Sequence, residues 1–162
     1  MNGDLKMTLQ RQLLAVNWIC YALIFSNIIY GLAVFAILQK LPPLHEPALD
    51  LGWIRPLFYG VAFVSVGASF ILKNFWLKNA MSQSIPHQPP SAPERLNKLQ
   101  SATIVAFAFC ESSAFIGVVF TLVSRQAQDF IFLGMLSLVG MLAHWPRLEQ
   151  WEEFIRMQTH AV

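Results

Sequence analysis

Charge is scarce in this sequence: Asp, Glu, Lys and Arg account for 12% of its 162 residues, against about 25% in a typical soluble domain. The net charge is only +2, which excludes the dense basic surface by which proteins hold phosphate backbones, so no nucleic acid is expected as a partner. Cysteine is nearly missing too. Cys20 and Cys110 both lie inside apolar runs, where they read as small buried hydrophobes and not as a disulfide or a zinc pair. His45, His87, His144 and His160 show no repeated ligand spacing, so neither a metal nor another cofactor is expected. The serines lack a base beside them and any nucleophile turn, and a non-catalytic protein is the expectation.

Hydrocarbon is what the chain has instead. Hydrophobic residues make up 56%, with 13 Phe and 5 Trp, and mean hydropathy is +0.50. Four long runs nearly free of charge follow one another, more than a single soluble core would absorb. The first, 13–38, is uncharged and exceeds the roughly 20 residues a bilayer core requires; Pro42 and Pro43 would stop its helix. The second, 56–77, opens on Pro56, a residue suited to a first helical position. The third, 99–124, is interrupted only by Glu111. The fourth, 128–145, ends before Pro146, and its apolar residues surround the helix, which favours spanning over lying on the surface.

Between the second and third runs, 79–98 carries Pro86, Pro89, Pro90 and Pro93 in a polar context, the composition of an extended, flexible connection. The expected fold is therefore all-α: an integral membrane four-helix bundle forming one domain over 1–162, two hairpins joined by a proline-rich loop. The opening MNGDLKMTLQRQLLAVNW has no small-residue cleavage site and reads as a tail entering a retained helix. Lys6, Arg11, Lys73, Lys78, Arg95, Lys98, Arg147 and Arg156 would collect on one side, against Lys40, Arg55 and Arg125 on the other. That bias puts both termini and the long connection in the cytoplasm of a multi-pass protein, fitting a bacterial inner membrane. The five tryptophans fall near span ends, where the headgroup zone favours them. Leu148, Trp151 and Ile155 share one face of a possible amphipathic surface helix over 147–158.

In lipid, helices gain little from apolar burial against each other, so small residues mark the faces that approach closely. On the third span Ala102, Ala106, Cys110, Ser113, Gly117 and Thr121 recur at steps of three or four. The second offers Ala62, Ser65 and Ser69, and the fourth Gly134, Ser137 and then Gly140. Gly60 and Gly67 read as further close-contact positions. A faint repeat also relates the first and third spans: an offset of 86 lays Ser26 on Ser112 and Gly31 on Gly117, with Phe25 in the place of Glu111.

Glu111 is the one acid in the middle of a span, Asp129 standing at the edge of the fourth. An ionised carboxylate near the bilayer centre costs on the order of 3 kcal/mol even on lenient scales, so this one should be protonated, paired, hydrated or ion-bound. Apart from Lys73 toward the end of the second, no Lys or Arg lies inside a span to pair with it. Ser112, Ser113, Thr103 and Thr121 of its own helix, Ser26, Asn27 and Tyr30 of the first, and Ser65 or Ser69 of the second are the available partners. Depth favours Ser65 and Asn27, while His144 sits too far along the membrane normal. Three roles stand open: a protonated tie between helices, a proton or sodium site, or a contact to a lipid, cofactor or partner subunit.

The stretch CESSAFIGVVFTL resembles the ion-carrying helix of the rotor-ring proteolipids of rotary ATP synthases and ATPases, a membrane glutamate followed by small residues, an aromatic or glycine and an apolar tail. The resemblance covers residues 106–122. It implies that Glu111 would be the reversible proton or sodium carrier, with Ser112 and Ser113 helping to hold it. The chain departs from that family in lacking the dense glycine pattern of a narrow ring and in its long proline-rich connection. The reading of the whole is a structural or accessory subunit of a larger membrane assembly, in contact with lipid and other integral subunits; the alternative is an ion-translocating proteolipid.

Overall fold

The computed structural model of the chain describes residues 3–41, 52–82 and 92–159. Five helices fill these stretches: α1 Gly3–Lys40, α2 Ile54–Ser82, α3 Ala92–Ser124, α4 Ala127–Ala143 and α5 Leu148–Thr159. Three of them, α1, α2 and α3, are long and apolar enough to cross a membrane, and α4 is a shorter apolar helix of 17 residues. No strand occurs among the described residues. Apolar side chains on every face leave a water-filled surroundings unfavourable and give such helices no single inward stripe; their faces are chosen by side-chain size.

α3 is the hub, packing against α1, α2 and α4 in turn. Its small-residue stripe is why. Ala102, Ala106, Cys110, Ser113, Gly117 and Thr121 are all buried. A Cβ placed on Gly117 would lie 3.0 Å from Leu133 Cβ, and one on Gly140 would lie 2.8 Å from Cys110 Sγ and 3.1 Å from Val66. The α3 and α4 backbones therefore approach as closely as glycine permits. Arg125 takes the left-handed conformation (φ 55°) and donates its N–H to Thr121 O at 2.7 Å, closing α3 so that α4 reverses after a two-residue turn.

Among the described residues α1 and α2 each pack chiefly against α3 and α4 and only marginally against one another. α1 runs parallel to α3 in a constant register: Gln12 Nε2 donates to Asn97 Oδ1 at 3.0 Å and Ser26 meets Glu111, each pair 85 residues apart. The polar stretch 79–98 is also more helical than its prolines suggest. Residues 79–82 close α2 and 92–98 open α3, because Pro93 falls in a first turn, where its missing N–H has no partner to lose. Glu94 and Lys98 pair at 3.4 Å one turn apart, and Leu96 and Leu99 turn inward. The middle of that connection, with Pro86, Pro89 and Pro90, lies outside the described residues, as do Pro42, Pro43 and His45.

Gly60 and Gly67 differ from expectation as well. Each is exposed and a Cβ on either would meet nothing within 4 Å, since α2 turns Ala62, Val66 and Ser69 toward the bundle instead. At the end where α1 begins, here the basal end, Trp151 of α5 is buried in one cluster with Leu9, Leu96 and Leu99. α5 is thus a separate helix beyond Pro146, packed beneath α3.

Candidate functional site

Successive positions of α3 address different neighbours, because each residue advances about 100° around a helix. Cys110 Sγ lies 3.5 Å from Ser69 Oγ of α2. Glu111 faces α1. Ser113 donates to Leu133 O of α4 at 3.3 Å. Three polar clusters result, one at mid-depth and one at each end of α4.

At mid-depth the Glu111 carboxyl is half-buried in the α1–α3 seam. Its Oε1 lies 2.5 Å from Ser26 Oγ and accepts from Tyr30 OH at 3.3 Å. Ser26 Oγ also lies 2.7 Å from Leu23 O of its own helix. A hydroxyl has one proton. When that proton goes to Leu23 O, the short Ser26–Glu111 contact requires a proton from the carboxyl; when it turns to an ionised carboxylate, the Leu23 bond is given up. Ser26 therefore offers Glu111 Oε1 a hydrogen-bond partner in either state of the acid.

Of the residues singled out in sequence around Glu111, Tyr30 reaches it, and so does Ser26. Asn27 does not: its Nδ2 points across to Ser137 Oγ (3.4 Å) and Met141 Sδ (3.6 Å) of α4 and back to Leu23 O (3.5 Å) of its own helix. Ser112 bonds back to Phe109 O at 2.7 Å, Ser113 faces α4, and Ser65 is half-buried on α2 away from the carboxyl. Thr103 bonds to Leu99 O within α3. Depth alone ranked Asn27 above Ser26; the rotation of α1 about its axis reverses that order.

At the distal end, Asp129 in the first turn of α4 is buried and saturated. It accepts from Tyr59 OH (2.9 Å), Ser124 Oγ (2.7 Å) and the Arg55 guanidinium, whose Nε and Nη2 lie 3.3 Å from its two oxygens. Arg55 Nη2 also bonds Gln126 Oε1 at 2.5 Å, and Gln126 N–H donates to Ser124 Oγ at 3.2 Å. The N-terminal dipole of α4 adds to the attraction for the carboxylate. Nothing in the sequence marked this network: Arg55 and Asp129 stand 74 residues apart, and each reads alone as an ordinary charge near a span end.

At the basal end, His144 is buried at the close of α4. Its Nε2 lies 2.8 Å from Ser69 Oγ, its ring stands 4.2 Å from that of Phe70, and Lys73 Nζ donates to its carbonyl at 3.5 Å. A serine with a base beside it is therefore present in space, contrary to the sequence reading. Ser69 Oγ lies 2.6 Å from Val66 O and accepts from the Cys110 thiol at 3.5 Å; with its proton on Val66 O it accepts from the imidazole Nε2–H, and in the other tautomer it donates to Nε2. The lysine ammonium meets the carbonyl end of α4, where the helix dipole favours a cation.

Among the described residues no group of three or more His, Cys, Asp or Glu side chains is placed to hold a metal ion. No protein-family model, curated protein or solved structure matches this chain.

Proposed function

We propose that this chain is a non-catalytic structural or accessory subunit of a larger assembly in a bacterial inner membrane, spanning it four times with both termini in the cytoplasm. The observation that carries the reading is the outward surface of α1 and α2. These helices flank the α3–α4 core and turn Trp18, Phe25, Leu32 and Phe35, and Val64 and Ile71, away from it. A face so broad and aromatic suits both lipid and neighbouring integral helices. α4 serves as the fourth span in this reading. Its polar clusters at Asp129 and His144 are separated by about 22 Å at 1.5 Å per residue, and between them α4 itself carries only apolar side chains and the Ser137 hydroxyl. Extraction from native membranes in a mild detergent should recover the chain with stable companions in fixed stoichiometry; recovery as a partnerless monomer contradicts the proposal.

A second reading is supported by the geometry at Glu111: a carboxyl that takes up and releases a proton or a sodium ion. Its support is the pair of hydrogen-bond arrangements that Ser26 offers. A hydrophobic carbodiimide reacts with a protonated membrane carboxyl, so labelling should fall as pH rises, and Glu111→Gln should abolish it. Protection by sodium would identify the ion. Labelling equal in the wild type and Glu111→Gln rejects ion occupancy here.

A further inference from the structure

One side of α3 is left bare. α1, α2 and α4 cover the rest of it, and α1 and α2 pack too little against one another to close over it. Ser101, Ala108, Phe115 and Val119 are exposed there and Ser112 is half-buried. At about 100° per residue these positions share one side of the helix, and Glu111 stands at its border with α1. Next to Ser26 on α1, Ala22 and Ala33 are exposed as well. The side chains around the carboxyl are small enough for a further helix to approach it closely.

Ser26 and Tyr30 both address Glu111 Oε1. Oε2 has no hydrogen bond among the described residues, and it is not one of the sealed side-chain atoms that lack a partner, so it opens to the outside of the bundle. Lipid tails hold no donor for it at mid-depth. A hydroxyl or amide on another helix has little to gain there. In this bundle Ser26, Ser69, Thr103 and Ser112 bond back to carbonyls of their own helices, and so does Asn27, which shows how readily neutral donors are satisfied at home. A lysine or arginine in mid-span is different: its charge is as costly in hydrocarbon as that of an ionised Glu111, and pairing the two offsets both penalties. This chain has no such cation at that depth. Lys73 meets the His144 carbonyl at the basal end and Arg55 meets Asp129 at the distal end, and a second copy would bring another carboxyl in place of a cation.

We propose that the bare side of α3 docks a transmembrane helix of another subunit that carries a lysine or arginine at mid-depth, its cation on Glu111 Oε2 and its backbone along Ala108 and Ser112. This rests on the accessory-subunit reading and adds the chemistry of the companion and the place where it binds.

The test places the full-length protein in phosphatidylcholine vesicles with synthetic membrane-spanning leucine–alanine helices whose central residue is lysine, serine or leucine, each bearing a photoreactive leucine one turn away. The lysine helix should cross-link to residues within 101–119 about tenfold more than the leucine helix, the factor that one hydrogen bond to a charged group provides. The serine helix should stay near the leucine level. Glu111→Gln retains a group able to bond Ser26 and Tyr30 and should erase the preference. Ala108→Leu leaves the carboxyl in place and fills the approach to it, so it should lower cross-linking of the lysine helix even if Glu111→Gln proves unstable. Equal labelling by the lysine and leucine helices, serine matching lysine, or cross-linking of one copy of the chain to another through this side overturns the assignment. In native membranes, companions that remain with Glu111→Gln after mild extraction overturn it and leave the accessory-subunit reading standing, whereas a partnerless wild type removes both.

Discussion

Single side chains in this bundle act by satisfying one another, and Glu111 is the clearest case. Replacing it by Gln keeps a group able to donate to Ser26 Oγ, whereas Leu leaves Ser26 and Tyr30 without their partner. Hydrogen bonds between membrane helices are worth about 1 kcal/mol. Glu111→Gln should therefore unfold within about 1 kcal/mol of the wild type, and Glu111→Leu should lose about 1–2 kcal/mol, read from unfolding in detergent micelles. Asp129 has more to lose. Its removal takes the carboxylate from Arg55, which keeps its bond to Gln126, and from the Tyr59 and Ser124 hydroxyls at once; because Arg55 is partly solvated, the expected loss for Asp129→Ala is about 2 kcal/mol and not the larger figure of a fully buried pair. A double-mutant cycle with Arg55→Met isolates the pair. A coupling near zero would show that Asp129 acts through its hydroxyl partners alone.

Among elements, the glycines divide into two sets with opposite predictions. Gly117 and Gly140 sit where α3 and α4 nearly touch. A leucine at either must force the helices apart, costing about 1–3 kcal/mol or more. Gly60 and Gly67 face away from every described neighbour, so alanine there should stabilise the isolated chain by up to about 1 kcal/mol through helix propensity. Loss of a co-purifying partner on Gly67→Leu, with unfolding unchanged, would place the companion helix on α2. α5 is held differently, by Trp151 in the basal cluster. Trp151→Ala should release it, seen as rapid proteolysis near Leu148 with the four longer helices intact; protection equal to the wild type would mean that other contacts hold α5.

How far the sequence reveals these elements depends on what fixes each one. The long helices are legible because lipid demands uniform hydrocarbon over a set length, a property of consecutive residues. The close faces of α3 and α4 are legible because small side chains recur at helical spacing. The placement of α1 and α2 on opposite flanks of α3 is not, since helices apolar all round carry no periodic signal to orient them. Glu111 stands out by its oddity alone. Its partner Ser26 does not, because the choice between Ser26 and Asn27 rests on a rotation of α1 that one residue's sequence neighbours do not encode. The Asp129 and His144 clusters are assembled from residues more than 70 positions apart whose types are unremarkable singly.

For the whole molecule, the arrangement is a core of α3 and α4 with α1 and α2 clasped to its sides and polar clusters marking its two ends. Those clusters make sense together as boundaries: charged and imidazole groups gather where headgroups would lie, and a single carboxyl remains at mid-depth between hydroxyls. The account thus rests on a bilayer whose surfaces pass near Asp129 and near His144. Both native cysteines are buried, so the chain supplies a low background for thiol labelling. Single cysteines at Gln126, Lys78 and Glu149, probed in intact cells with a membrane-impermeant maleimide, test the placement directly. Gln126→Cys should react from outside, whereas Lys78→Cys and Glu149→Cys should react only after the membrane is opened. Equal reaction of all three in intact cells, or recovery of the chain in the soluble fraction without detergent, would contradict it.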